Sequence, residues 1–122
     1  MNARELMIGD WVDDTTVHPE SKVLGIEDGE VLVKRKSDRW FYRTHESNIK
    51  PIPLTPEMVE RLSYIKELVM FWDDRKTEET GENWYEACIN CDNGNTLTID
   101  IRYVHELQHA LRLCGIDKEI EI

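Results

Sequence analysis

The chain has 122 residues, 40% of them apolar and 33% charged. That composition excludes a disordered tail and a helical membrane protein, and the length allows one compact domain or two small lobes. Acidic residues number 25 against 15 basic ones, a net charge of −10 that repels phosphate backbones and counts against general nucleic-acid binding.

The acidity is uneven. Residues 54–122 carry 15 acidic and 7 basic side chains, whereas residues 1–53 are nearly balanced. No apolar run approaches the length of a membrane span, and the start MNARELMIGD lacks a signal-peptide core. The expectation is a cytoplasmic protein that does not enter membranes. The three cysteines, Cys88, Cys91 and Cys114, are an odd number, which fits reduced thiols in a reducing compartment.

Four or five short strands are expected in the first 53 residues. Gly9 to Val12 opens the first, and Lys22 to Ile26 forms the second. Asp28-Gly29 then separates two apolar runs, a strong hairpin signal, before Val31 to Lys34. Arg39 to Arg43 is an aromatic-rich fourth strand, and Lys50-Pro51-Ile52-Pro53 is extended because proline restricts itself and its predecessor. Short strands with tight turns at this spacing point to an SH3-like small β-barrel over 1–53.

The second lobe, 54–122, opens with a well-marked helix. Thr55 is the N-cap, Pro56 occupies the first helical position, and Glu57 sits in the first turn. Leu68, Met70 and Trp72 then alternate in a strand, Asp73 to Asn83 reads as a solvated acidic loop, and Tyr85, Ala87, Ile89 and Cys91 alternate in the next strand. Asn93-Gly94 marks a turn, and Leu97, Ile99 and Ile101 alternate after it. These three strands make an antiparallel meander with one buried face. Tyr103 to Cys114 is an amphipathic helix stopped by Gly115, and Lys118 to Ile122 reads as a short final strand. The expected class is therefore α+β: barrel, helix, meander and C-terminal helix, the two lobes packing together.

Three constellations could carry chemistry. His105-Glu106-Leu107-Gln108-His109 matches H-E-x-x-H, in which two histidines one helical turn apart bind zinc and the glutamate activates water. Against a zinc hydrolase stand a missing third ligand and a helical wheel that puts His105, His109 and Arg112 opposite the apolar stripe. Cys88 and Cys91 form C-x-x-C, but residues three apart on a strand point to opposite faces, so Cys91 reads as a core thiol and Cys88 as its outward counterpart. Lys34, Arg35, Lys36, Arg39 and Arg43 surround Trp40, Phe41 and Tyr42, a mixture that can hold phosphates and stack bases. The more ordinary reading is a strand whose aromatics fill the barrel and whose charges face water.

Three blocks resemble a family of small uncharacterised bacterial and phage proteins. Arg4 to Val12 is similar to its R-x-L-x-I-G-N-W-V, Ile49 to Glu57 to its I-x-P-I-P-L-T-x-E, and Tyr103 to His109 to its Y-V-H-x-L-Q-N. The blocks occur in the family's order and span most of the chain. The resemblance implies a short protein of phage or mobile-element origin with no assigned site. It also implies that the family lacks the second histidine, since its pattern has Asn where this chain has His109, and Asp10 stands where the pattern has Asn. The resulting expectation is a non-enzymatic accessory protein without cofactor that binds another protein, using the surface from Lys34 to Arg43 and the acidic second half. Nucleic-acid binding through 34–43 is the first rival, and a zinc hydrolase built on His105, Glu106 and His109 the second.

Overall fold

The computed structural model describes residues 5–15, 18–36 and 41–120. It is α+β, with two antiparallel sheets and three α-helices among the described residues. The chain divides into two compact units, Met1–Ile52 and Pro53–Ile122.

Unit 1 is a five-stranded antiparallel sheet. Its strands are β1 (Trp11–Asp14), β2 (His18–Glu27), β3 (Glu30–Arg35), β4 (Phe41–His45) and β5 (Ile49–Pro51), in the order β4-β3-β2-β1-β5. Asp28 and Gly29 both take positive φ, 48° and 76°, so the β2–β3 connection is the two-residue turn whose twist matches its strands. A bulge at Leu24 shifts the register between Val23 and Gly25, keeping Val23 opposite Val33. The alternation of β-branched residues places Val12, Val23, Val31, Val33 and Ile49 in a core completed by Leu6, with Tyr42 packed against it. The Asp10 carboxylate is buried and accepts the Met7 N–H at 2.8 Å, which ties down the approach to β1. No ladder joins β4 to β5 among the described residues, so the sheet is open there.

Unit 2 begins with α1 (Pro56–Arg61), capped where the sequence indicates: the Thr55 hydroxyl accepts the Met58 N–H at 3.2 Å. A 3₁₀ turn, Leu62–Tyr64, leads into β6 (Leu68–Trp72). The sheet is completed by β7 (Tyr85–Asn90) and β8 (Thr96–Ile101), paired β6-β7-β8 as an antiparallel meander. Tyr85, Ala87, Ile89 and Ile101 on one face are buried together with Leu107, Ala110 and Leu111 of α3 (Val104–Leu113).

The acidic segment after β6 is not the solvated loop its composition indicates. It holds α2 (Asp74–Thr80), capped by the Asp73 carboxylate on the Lys76 N–H at 3.0 Å. Polar contacts fasten α2: Lys76 pairs with Asp100 of β8 at 2.6 Å, and Thr77 and Thr80 each accept a hydrogen bond from Trp84 at 3.0 Å. The end of the chain also differs from expectation. Residues 116–120 form no strand, though Ile120 is buried, and residues 121–122 lie outside the described residues.

The stop of α3 depends on Gly115. The Gly115 N–H bonds the Arg112 carbonyl and the Ile116 N–H bonds the Leu111 carbonyl, both at 3.0 Å, the paired pattern that needs a left-handed residue between them. Gly115 has φ 75°, and a Cβ built there would lie 2.3 Å from an oxygen of the Asp92 carboxylate. Gly115→Ala is therefore expected to destabilise unit 2 by about 1–3 kcal/mol, read as a lower urea midpoint. An unchanged midpoint would contradict the requirement for this glycine.

Candidate functional site

The H-E-x-x-H segment lies on α3, as its spacing indicates, but its groups serve the helix. The Glu106 carboxylate accepts the backbone N–H groups of Arg102 and Tyr103, both at 3.1 Å, and so closes the helix N-terminus. A carboxylate holding two backbone donors is not aimed at a metal-bound water. His105 is not on a solvated face: it is 7% exposed and stacks on Tyr103 with ring centroids 5.9 Å apart. His109 meets His105 edge to face at 5.5 Å. The helical wheel fails for His105 because Tyr103 covers that side of α3 as well. Among the described residues no group of three or more His, Cys, Asp or Glu is placed to hold a metal ion.

The stack continues from Tyr103 into charged groups that the sequence reading did not single out. The Arg102 guanidinium lies 4.7 Å from the Tyr103 ring and 4.9 Å from the Trp84 ring, and Lys76 lies 4.7 Å from the other side of this assembly, over Trp84. Glu82 accepts from Arg102 at 2.6 Å and from the Tyr103 hydroxyl at 3.3 Å. Hydrogen bonding to Glu82 raises the Arg102 pKa, so the cation stays charged. Every charge in this cluster meets an opposite charge or an aromatic face. Its chemistry is cohesion between α2, β8 and α3. Trp84 and Arg102-Tyr103 are far apart in sequence and come together only once β7 and β8 are in register.

The basic-aromatic strand is partly described. Arg39 and Trp40 lie outside the described residues. Arg35 donates to the Tyr42 hydroxyl and stacks over its ring at 4.8 Å, so Tyr42 is a core-side residue and Arg35 its cover. Lys36 pairs with Glu20 at 3.4 Å, and Arg43 pairs with Glu30 at 3.4 Å. Lys34 stands opposite Phe41 across the β3–β4 ladder, and Phe41 is 61% exposed. Two of the cations thus carry acidic neighbours that would compete with a phosphate.

The expectation of Cys91 as the core thiol is corrected: Cys91 is half-buried, and the buried thiol is Cys114. Cys88 is half-buried on β7, where the Thr98 hydroxyl approaches its sulfur at 3.8 Å. Cys91 lies beyond the strand end, where its thiol donates to the Ile89 carbonyl at 4.0 Å and neighbours the buried Cys114 thiol. The Asp92 N–H donates to the Cys114 carbonyl at 2.9 Å and holds the two segments together. Burial, reinforced by the Cys91 contact, pushes the Cys114 thiol up to about 11.

Exposed apolar side chains occur at Ile8, Phe41 and Leu113 among others, and three more fall together in sequence on β6. Val69 and Phe71 project from the face of the sheet opposite α3, 49% and 54% exposed, and Trp72 at the strand end is 44% exposed. No helix among the described residues is long and apolar enough to cross a membrane. Comparison of the chain with protein-family models, curated proteins and solved structures finds no match.

Two outcomes follow from this geometry. Glu106→Ala is expected to lower stability by about 1 kcal/mol, as loss of a helix cap does, with a smaller effect from Glu106→Gln, which keeps an acceptor oxygen. Equal urea midpoints for wild type and Glu106→Ala would remove the capping role. Cys114 is expected to alkylate more slowly than Cys88 and Cys91 in the native state, checked by peptide mass after timed iodoacetamide treatment. Its raised pKa favours the protonated thiol in the folded chain. That contribution is complete below the unfolded thiol pKa near 9 and is lost as pH rises to about 11. The stability gap between wild type and Cys114→Ala should therefore narrow over that interval.

Proposed function

We propose that this protein is a non-enzymatic binding module whose partner is a protein, an accessory protein of the phage and mobile-element kind that its three sequence blocks resemble. The observation that carries the reading is the exposure of Val69 and Phe71 side by side on one face of β6, with Trp72 also exposed at the strand end on the other face. Large apolar side chains grouped on a surface mark interaction sites. The polar groups that could have carried catalysis are committed elsewhere: Glu106 caps α3, and His105 and His109 belong to the ring stack. No cofactor is called for.

Unit 1 supports a scaffold role. Its strand order, with the fifth strand beside the first, agrees with an SH3-like barrel, a fold that hosts many binding functions. The acidic unit 2 favours a basic partner and disfavours nucleic acid. Lys34, Phe41 and Arg43 are the surface through which a nucleic-acid reader would act, and the Glu30 and Glu20 pairings oppose it.

Two measurements test the reading. Labelled single-stranded and duplex oligonucleotides are expected to show no anisotropy change with the full chain at low salt. Binding that weakens steeply with added salt and disappears in Lys34→Glu/Arg43→Glu would overturn the proposal in favour of a nucleic-acid reader. Immobilised wild-type chain is expected to retain a bacterial protein that Val69→Lys/Phe71→Lys does not retain. Retention that ignores both β6 substitutions would remove β6 as the binding surface.

A further inference from the structure

We infer that β6 is a self-association strand: two copies of this chain pair β6 against β6 in antiparallel register about Met70, joining their three-stranded sheets into one of six. This rests on the reading of β6 as a binding surface and names the occupant as a second copy.

The backbone geometry comes first. Asn90 N–H bonds the Glu67 carbonyl at 2.9 Å, and Asp73 N–H bonds the Trp84 carbonyl at 3.0 Å. In the antiparallel register of β6 with β7, hydrogen-bonded pairs recur every second residue, so Val69 and Phe71 direct their backbone groups to β7. Leu68, Met70 and Trp72 direct theirs outward. Leu68 N–H is used locally, on the Ile65 carbonyl at 3.2 Å. The Leu68 carbonyl, both Met70 groups and the Trp72 N–H are left on the outer edge, which pairs with no strand among the described residues. An apolar edge with outward donors and acceptors is a template for another strand.

The side chains favour a copy of the same strand. Antiparallel pairing about Met70 sets Leu68 against Trp72 of the second copy and Val69 against Phe71 of the second copy. The exposed pair on the open face becomes a cluster of four. A groove of about 230 Å³ lies beside the edge, lined by Val59, Leu62, Ser63, Leu68, Val69 and Met70. It adjoins Leu68, the position where the indole of Trp72 would arrive. The same operation leaves exposed Lys66, just before β6 in one copy, at the same end of the joined ladder as exposed Asp74, which starts α2 in the other, twice by symmetry. The like-charged pair it also creates, Glu67 and Asp73, is already engaged, Glu67 with Lys118 at 3.0 Å and Asp73 with the Lys76 N–H at 3.0 Å. The opposite edge, β8, is more polar: Thr96, Thr98 and Asp100 occupy one face, and Ile99 is its one exposed large apolar side chain.

Sedimentation of the purified full chain over a concentration series tests the inference. A mass that rises to twice 14.4 kDa and stops there is expected. Val69→Lys/Phe71→Lys sets lysine against lysine and should leave only monomer. Val69→Lys/Phe71→Glu sets opposite charges across the symmetry axis and should restore the dimer, with circular dichroism showing both variants folded. Met70→Cys should form a disulfide between copies on mild oxidation, since hydrogen-bonded antiparallel partners have Cα atoms about 5.5 Å apart, within disulfide reach. A monomer at every concentration, or a dimer indifferent to all three variants, overturns the inference. Monomer together with β6-dependent capture of another protein also overturns it, while leaving the protein-binding reading intact.

Discussion

Unit 2 is organised around two consecutive residues, Arg102 and Tyr103, where β8 hands over to α3. Their backbone N–H groups both bond Glu106, which starts the helix. The Arg102 carbonyl accepts the Leu54 N–H at 2.9 Å, and Tyr103 bridges to Pro53, so the entry to α1 is anchored at the same point. Their side chains reach Glu82 and Trp84 and so hold α2. Three segments far apart in sequence meet at one backbone corner. This position explains why the glutamate and the first histidine of the zinc-like motif are where they are.

The same economy governs the charged residues. A chain with a net charge of −10 could be expected to carry its few cations as free ligands for anions. Instead Lys36, Arg43, Lys76, Arg102 and Lys118 each have an acidic partner within 3.4 Å. Individually such exposed pairs contribute little to stability. Together they turn part of the basic surface inward onto carboxylates.

Local signals were legible in the sequence. Asp28-Gly29, Thr55-Pro56 and Gly115 each mark a boundary through backbone chemistry that needs no tertiary context, and the alternation in β7 identified its buried face, whereas in β8 only Ile101 is buried and Ile99 is exposed. Features that depend on contacts between segments were not. Helix α2 has no apolar periodicity, because Asp73, Asp100 and the Trp84 hydrogen bonds hold it in place of a hydrophobic stripe. The burial of His105 requires Tyr103 to cover a second side of α3. The Cys91–Cys114 contact joins residues whose spacing carries no motif, whereas the adjacent Cys88 and Cys91 suggest a pairing that the strand geometry separates.

The strand order of unit 1 also governs when its sheet can be completed. β1 lies between β2 and β5, and its two ladders differ greatly in span. The β1–β2 pairing joins neighbours, Val12 with Ser21, whereas the β1–β5 pairing joins Val12 with Pro51. During synthesis β1 therefore finds one partner at once and waits for the other until nearly all of unit 1 has followed. Closing that loop costs more chain entropy than any of the hairpins. The last strand of the sheet, only three residues long, thus closes the longest loop of the unit.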